Sequence, residues 1–219
     1  KCPSSLGDAV TLDEGDDVTC TIVNDDQAPT ITLIKNVIND NGGSAEENDF
    51  GLSIGTSAVS SGQALSVLAN SDYALDEVGL SGYTFTSMSG DGCPSDLGGT
   101  VNLDEGEDIT CTITNDDQQS YIIVDKTVTN DDGGDAQPND FSLTVDDNSV
   151  SDEVTYPVNP GAHVVGETQL PGYTAGTWGG DCDGQGNVDV ALGETITCTI
   201  ANDDVAPTLT LIKDPTNDD

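Results

Sequence analysis

The chain repeats itself. "CPSSLGDAVTLDEGDDVTCTIVNDDQAPTITLIK" (2–35) returns as "CPSDLGGTVNLDEGEDITCTITNDDQQSYIIVDK" (93–126), and more loosely as "CDGQGNVDVALGETITCTIANDDVAPTLTLIK" (182–213). The offsets keep step: Cys20 to Cys111 and Lys35 to Lys126 both span 91 residues, while Cys111 to Cys198 and Lys126 to Lys213 both span 87. A unit of about 90 residues is too long for a solenoid coil and suits one small β-sandwich. Residues 1–27 then read as the last strands of one repeat, 28–117 and 118–205 as two whole repeats, and 206–219 as the first strand of a further one. The links "NDDQAPT" and "NDDVAPT" hold no Gly/Ser stretch, so neighbouring domains are expected to abut. With its abrupt start at "KCPSS" and no visible signal peptide, the sequence reads as an internal piece of something longer.

Inside each repeat, short β-branched runs are separated by Gly, Asn and Asp clusters, which predicts an all-β fold of immunoglobulin-like sandwiches in a linear array. "DFGLSI" (49–54) and "DFSLTV" (140–145) read as half-buried strands after the turns "NDNGG" and "NDDGG". "VNLDEGEDITCTITN" reads as a hairpin with its turn at "DEGED". Met88 and Trp178 hold matched positions and are expected to fill core or interface. His163 aligns with Tyr73, has no visible ligand partner, and is assigned a structural role.

Charge narrows the partners. Asp and Glu total 41 against 4 Lys and no Arg, a net charge of -37. Nucleic acid and anionic lipid are polyanions and are excluded on that ground; divalent cations are compatible. The same acidity also serves plain solubility in a secreted protein. No apolar run approaches the roughly 18 residues of a membrane span, so no membrane insertion is expected in this piece.

The six cysteines fall as Cys2/Cys20, Cys93/Cys111 and Cys182/Cys198, and pairing within each repeat is the only arrangement that repeats with the sequence. Metal binding would want CxxC spacing or nearby histidines, and neither is present. Each bridge would close a short loop, worth about 3 kcal/mol in the chain-entropy model. Disulfides belong to an oxidising compartment, so the expected location is extracellular or cell-surface.

The lysines are placed oddly. In "ITLIKNV" (31–37), Ile31, Leu33, Lys35 and Val37 share one strand face, the apolar one. Lys126 sits between Val124 and Val128 on its face, and Lys213 follows Leu209 and Leu211. A buried lysine needs a partner or must lose its charge. Candidate partners recur: Tyr73, Leu75 and Glu77 share an inward face, as do His163, Val165 and Glu167; Cys111, Ile113 and Asn115 share another, as do Cys198, Ile200 and Asn202. Each repeat thus points a Lys, a Glu and an Asn inward.

On the "LIK" lysine, the "ETQLPGY" box and the closing-strand asparagine, the whole chain resembles the prealbumin-like, collagen-adhesin B-type (SpaA-like) repeats of Gram-positive surface proteins and pilins. The resemblance implies that lysine and asparagine join as an intramolecular isopeptide bond assisted by the glutamate. The implied triads are Lys35, Glu77, Asn115 and Lys126, Glu167, Asn202, while Asn24 and Lys213 would belong to repeats not fully present. The first repeat departs from the box, reading "EVGLSGY" without the proline. A buried Lys–Glu ion pair beside a structural Asn is the other open reading.

"NDD" closes each repeat just before the next begins. Asp25, Asp26, Asp116, Asp117, Asp203 and Asp204, with Asp40 and Asp131 from the "NDNGG" and "NDDGG" turns, form candidate calcium ligands. A solvated polar turn is the alternative there. No cofactor is required, and no nucleophile–base pair, phosphate loop or metal–histidine cluster suggests an enzyme. The sequence therefore reads as repeats of an extracellular fibre, pilus-like filament or surface stalk, with copies of itself or adjacent repeats as partners. An adhesin module for a host or matrix ligand, or spacer repeats of a larger secreted enzyme, are the alternatives; the low aromatic content of 4% counts against the adhesin.

Overall fold

The computed structural model describes residues 1–214. The first repeat contains β1 (Thr30–Ile38), β2 (Gly51–Ile54), β3 (Ser57–Val59), β4 (Ala64–Ser66), β5 (Asp72–Val78), β6 (Tyr83–Ser89), β7 (Thr100–Asn102) and β8 (Asp108–Asp117). The second contains β9 (Ser120–Thr129), β10 (Ser142–Val145), β11 (Asn148–Val150), β12 (Tyr156–Val158), β13 (Gly161–Thr168), β14 (Tyr173–Ala175), β15 (Gly179–Gly180), β16 (Asn187–Val190) and β17 (Thr195–Asp204). No α-helix occurs among the described residues, and so none long and apolar enough to cross a membrane.

Each repeat is a two-sheet sandwich built to one plan. In the first, the sheet β4-β1-β8-β6 faces the sheet β3-β2-β5-β7; in the second, β12-β9-β17-β14 faces β11-β10-β13-β16, with β15 added against β17. The first and last strands lie side by side and parallel, β1 on β8 and β9 on β17. Period-two alternation explains the core: Ile31, Leu33, Cys111 and Ile113 from one sheet meet Leu52, Ile54 and Leu75 from the other. In the second repeat Ile122, Val124, Cys198 and Ile200 meet Leu143, Val145 and Val165. Met88 is buried in the first core and Trp178 packs against the second.

One expected pairing is not made. The segment "VNLDEGEDITCTITN" is not a hairpin, because β7 pairs with β5 while β8 pairs with β1 and β6. Its turn carries the chain from one sheet to the other, so Val101 and Leu103 reach the core from the layer opposite Cys111 and Ile113. Alternation sets the inward face but not which strand a neighbour joins.

Intra-repeat disulfides link Cys2 to Cys20, Cys93 to Cys111 and Cys182 to Cys198. Cys111 and Cys198 are fully buried on β8 and β17, so each bridge pins the closing strand to the loop before β7 or β16. Residues 1–27 form no strand despite their alternating sequence, and 206–214 form none either; Leu209 and Leu211 are 94% and 92% exposed. A strand is held by its ladder partner and by the face it buries, and these segments find neither among the described residues. Residues 215–219 of the expected further strand lie outside the described residues.

Candidate functional site

Strand register assembles the lysine site. Lys35 stands opposite Ile113 in the parallel β1–β8 ladder, and Val37 stands opposite Asn115. Lys35 and Asn115 are therefore diagonal neighbours on one inward face, within reach of a long side chain. Glu77 comes from β5 in the facing sheet, so the group bridges the sandwich. The second repeat reproduces this, with Lys126 opposite Ile200, Val128 opposite Asn202, and Glu167 on β13.

The glutamate holds both partners, one with each oxygen. Lys35 Nζ lies 2.8 Å from Glu77 Oε2, with both side chains fully buried, and Asn115 Nδ2 donates to Glu77 Oε1 at 2.6 Å. Lys126 Nζ lies 3.2 Å from Glu167 Oε2, and Asn202 Nδ2 donates to Glu167 Oε1 at 2.6 Å. Phe50 and Phe141 cap the amines, their ring centroids 4.2 and 4.4 Å from Nζ. Burial pushes the Lys35 and Lys126 ammonium groups below the usual lysine range, while Glu77 and Glu167 pull the other way. The contacts are close but poorly aimed. Lys35 Nζ, Glu77 Oε2 and Glu167 Oε2 complete no well-angled hydrogen bond, and Asn115 Oδ1 and Asn202 Oδ1 accept none. Five buried polar atoms in this state carry a real free-energy cost. Sequence reasoning treated the two phenylalanines only as strand residues; their matched place in "DFGL" and "DFSL" was the available signal.

The acidic joints divide differently from the sequence reading. Asp40, Asp116 and Asp117 converge with ligand atoms within 4.8 Å of one another, and so do Asp131, Asp132 and Asp204. Asp25, Asp26 and Asp203 join neither cluster, and Asp132 was not anticipated. Asp117 accepts the backbone N–H groups of Asp40, Asn41 and Gly43 at 2.6–3.0 Å, and Asp204 accepts those of Asp131, Asp132 and Gly134 at 2.6–3.1 Å. These carboxylates anchor the "NDNGG" and "NDDGG" loops. Burial alone would raise the Asp117 pKa, but the N–H groups of Gly43, Asn41 and Asp40 outweigh it and hold the carboxyl below the usual range. Asp117→Ala should therefore strand three donors, cost about 1–3 kcal/mol and speed amide exchange at 40–43. The sign with pH follows: a depressed folded pKa contributes stability above the unfolded carboxylate range and loses it as pH falls through the folded value. Acid titration should thus narrow the gap in melting temperature between wild type and variant.

His163 has partners after all. Its Nδ1 lies 2.6 Å from Asp146 Oδ2 and its Nε2 lies 2.7 Å from the Asn159 carbonyl. Burial lowers its pKa, but the Asp146 carboxylate and the Asn159 carbonyl more than offset this and raise it. Asp146 sits in the turn after β10, distant in sequence, which is why alignment with Tyr73 gave no hint.

The model of the prealbumin-like fold domain matches residues 26–113 and again 117–200. The chain belongs to the prealbumin-like fold family. These two matches coincide closely with the two sandwiches and cover both Lys–Glu pairs of this prealbumin-like chain. No curated protein matches it. Among solved structures, the TIE protein of Bacillus anthracis is 16% identical, with a TM-score of 0.45, covering 82% of this chain and 34% of that one. A mutant of the major pilin from Streptococcus pyogenes is 12% identical, with a TM-score of 0.30, covering 82% of this chain and 98% of that one. The prealbumin-like chain thus spans about a third of the first of these structures.

Proposed function

We propose that these repeats are structural units of an extracellular fibre, pilus-like filament or surface stalk, and that each whole repeat is tied internally by an isopeptide bond, Lys35 to Asn115 and Lys126 to Asn202. The observation that carries the reading is the paired Lys–Glu–Asn group, buried at the same place in both sandwiches between the first and last strands. Burial lowers the Lys35 pKa and so favours the neutral amine that attack requires. Lys35 Nζ adds to Asn115 Cγ, forming one C–N bond; the bond to Nδ2 breaks, and nitrogen leaves as ammonia with protons relayed by Glu77. One amine and one amide become one amide and ammonia, so the atoms balance. The product places no lysine charge in the core, which relieves the desolvation penalty of the ion pair.

Topology gives the bond a mechanical use. Because β1 runs parallel to β8, the start of β1 and the end of β8 lie at opposite ends of the repeat. Tension on the chain shears these two neighbours, and the Lys35–Asn115 bond spans that ladder. Electron microscopy of purified protein tests the structural role: regular filaments or slender rods are expected, and compact particles without an elongated form would overturn it.

Calcium at the joints is a second part of the proposal. Repulsion among Asp131, Asp132 and Asp204 supports it: burial first, then the charges of Asp131, Asp204 and Asp203, raise the Asp132 pKa. Since Asp117 and Asp204 hold backbone N–H groups, the lone pairs open to a cation belong mainly to Asp40, Asp116, Asp131 and Asp132. Chelation is expected to change the end-to-end distance in small-angle scattering, and identical profiles with chelator and with calcium would remove the ion from the account.

A further inference from the structure

The joint between the two repeats brings side chains of one onto backbone of the other, and its parts recur where no described residue covers them. Two turns at the trailing end of the first repeat present glycines with positive φ, Gly42 at +90° and Gly82 at +81°. A methyl group placed on Gly42 would come 2.7 Å from Pro160 Cδ and 3.1 Å from Asn159 Cβ; one on Gly82 would come 2.9 Å from Leu192. So Pro160 and Leu192, at the leading end of the second repeat, press onto backbone that only glycine leaves open. Gln118 N–H donates across the joint to the Gly82 carbonyl at 2.8 Å, while within the second repeat fully buried Ser120 steadies the docked turn, donating to the Ala191 carbonyl at 3.0 Å and accepting from Gly193 N–H at 2.9 Å.

The second repeat carries the same surface at its own trailing end. Gly133 and Gly172 occupy the matching turn positions, with φ of +99° and +89°. The chain leaves by the same route, Val205 N–H donating to the Gly172 carbonyl at 2.9 Å. Here a methyl on either glycine would meet nothing within 4 Å. The turns keep the glycines that docking needs, and among the described residues nothing is packed on them.

Charge says what fits it. The turn that docks on the first repeat reads "ALGET" (191–195), whereas the corresponding turns elsewhere read "DEGDD" (13–17) and "DEGED" (104–108). Where those carry four acids each, the docked turn carries one. It lies on a trailing end that already holds the Asp40, Asp116 and Asp117 cluster, so further acids there would be repelled. We propose that the trailing end of the second repeat is a docking socket for the leading end of another prealbumin-like repeat, one with an "ALGET"-type turn holding a single acid and a proline at the place of Pro160. This rests on the tandem structural reading, but the test below does not depend on filaments or on the isopeptide bonds.

The full chain is lengthened by following residue 204 with a second copy of 118–219, so that the socket is offered a known occupant. Small-angle scattering should give a rod longer by one repeat, with a distance distribution as narrow per joint as in the parent. Leu192→Glu with Ala191→Asp, made only in the added copy, should broaden that distribution, more so at low salt because the repulsion is screened at high salt. A copy of 28–117 added instead, with its acidic "DEGED" turn, should behave like the acidified variant. An added copy that swings freely, or an acidified one as rigid as the unmodified one, overturns the proposal. Failure to form filaments with the joint intact would count against the fibre reading alone.

Discussion

The full chain should weigh two ammonia molecules less than its sequence predicts, once the hydrogens lost to disulfides are subtracted. One loss is expected from each complete triad, and proteolysis should release branched peptides joining Lys35 to Asn115 and Lys126 to Asn202. Glu77→Gln is the decisive variant. It keeps the size and the contact with Asn115 but removes the group that bridges amine and amide at 2.8 and 2.6 Å. The first repeat should then retain its ammonia while the second still loses one, because Glu167 serves the other site independently. That repeat should also melt earlier yet still fold, since Cys93–Cys111 continues to pin β8. An unmodified wild-type mass would leave Lys35 as a buried cation paired with Glu77, and the mechanical reading would lose its covalent element.

Much of this site is legible without coordinates because strand alternation is a strict rule. A lysine at every second residue from Ile31 and Leu33 must face where they face, and Glu77 and Asn115 follow by the same count. The structure puts Lys35, Glu77 and Asn115 at 4%, 9% and 1% exposure, in line with that count. Alternation is silent about which strands become neighbours, so "DEGED" looked like a hairpin turn although it joins two different sheets. The joint carboxylates were legible only in part, for a related reason. Sequence displays Asp117 and Asp204 as charges, but whether they meet a cation or three N–H groups depends on a loop 70 or more residues away. His163 and Asp146 illustrate the same limit. The glycines of the joint were visible as turn residues; only the chain packed over Gly42 and Gly82 shows that they also clear space for a neighbour.

The second large effect is expected from removing the buried charges at Lys126 and Glu167. Lys126→Met fills similar space but leaves Glu167 facing an apolar core, where its side chain is 3% exposed. Breaking one half of a buried pair costs about 3–5 kcal/mol. If the isopeptide bond forms, the wild type holds no ion pair there, and the substitution instead removes a link between residues 76 apart, worth about 4.5 kcal/mol by the loop-entropy rule for cross-links, besides leaving Glu167 without the amide it faced. The double variant Lys126→Met/Glu167→Leu separates the two cases. It strands no charge, and replacing a buried ion pair by apolar residues of similar volume is often neutral or stabilising. Chemical denaturation should therefore place the single variant lowest. Were the site only an ion pair, the double variant would return to wild-type stability or fall short only by the about 1–3 kcal/mol of the Asn202 amide left without its Glu167 acceptor. With the covalent bond in place it should recover part of the loss and stop short by roughly the loop-entropy share. Mass spectrometry on the same samples should show one ammonia retained in both variants. A double variant as stable as wild type would mean that no bond between Lys126 and Asn202 contributes to the fold.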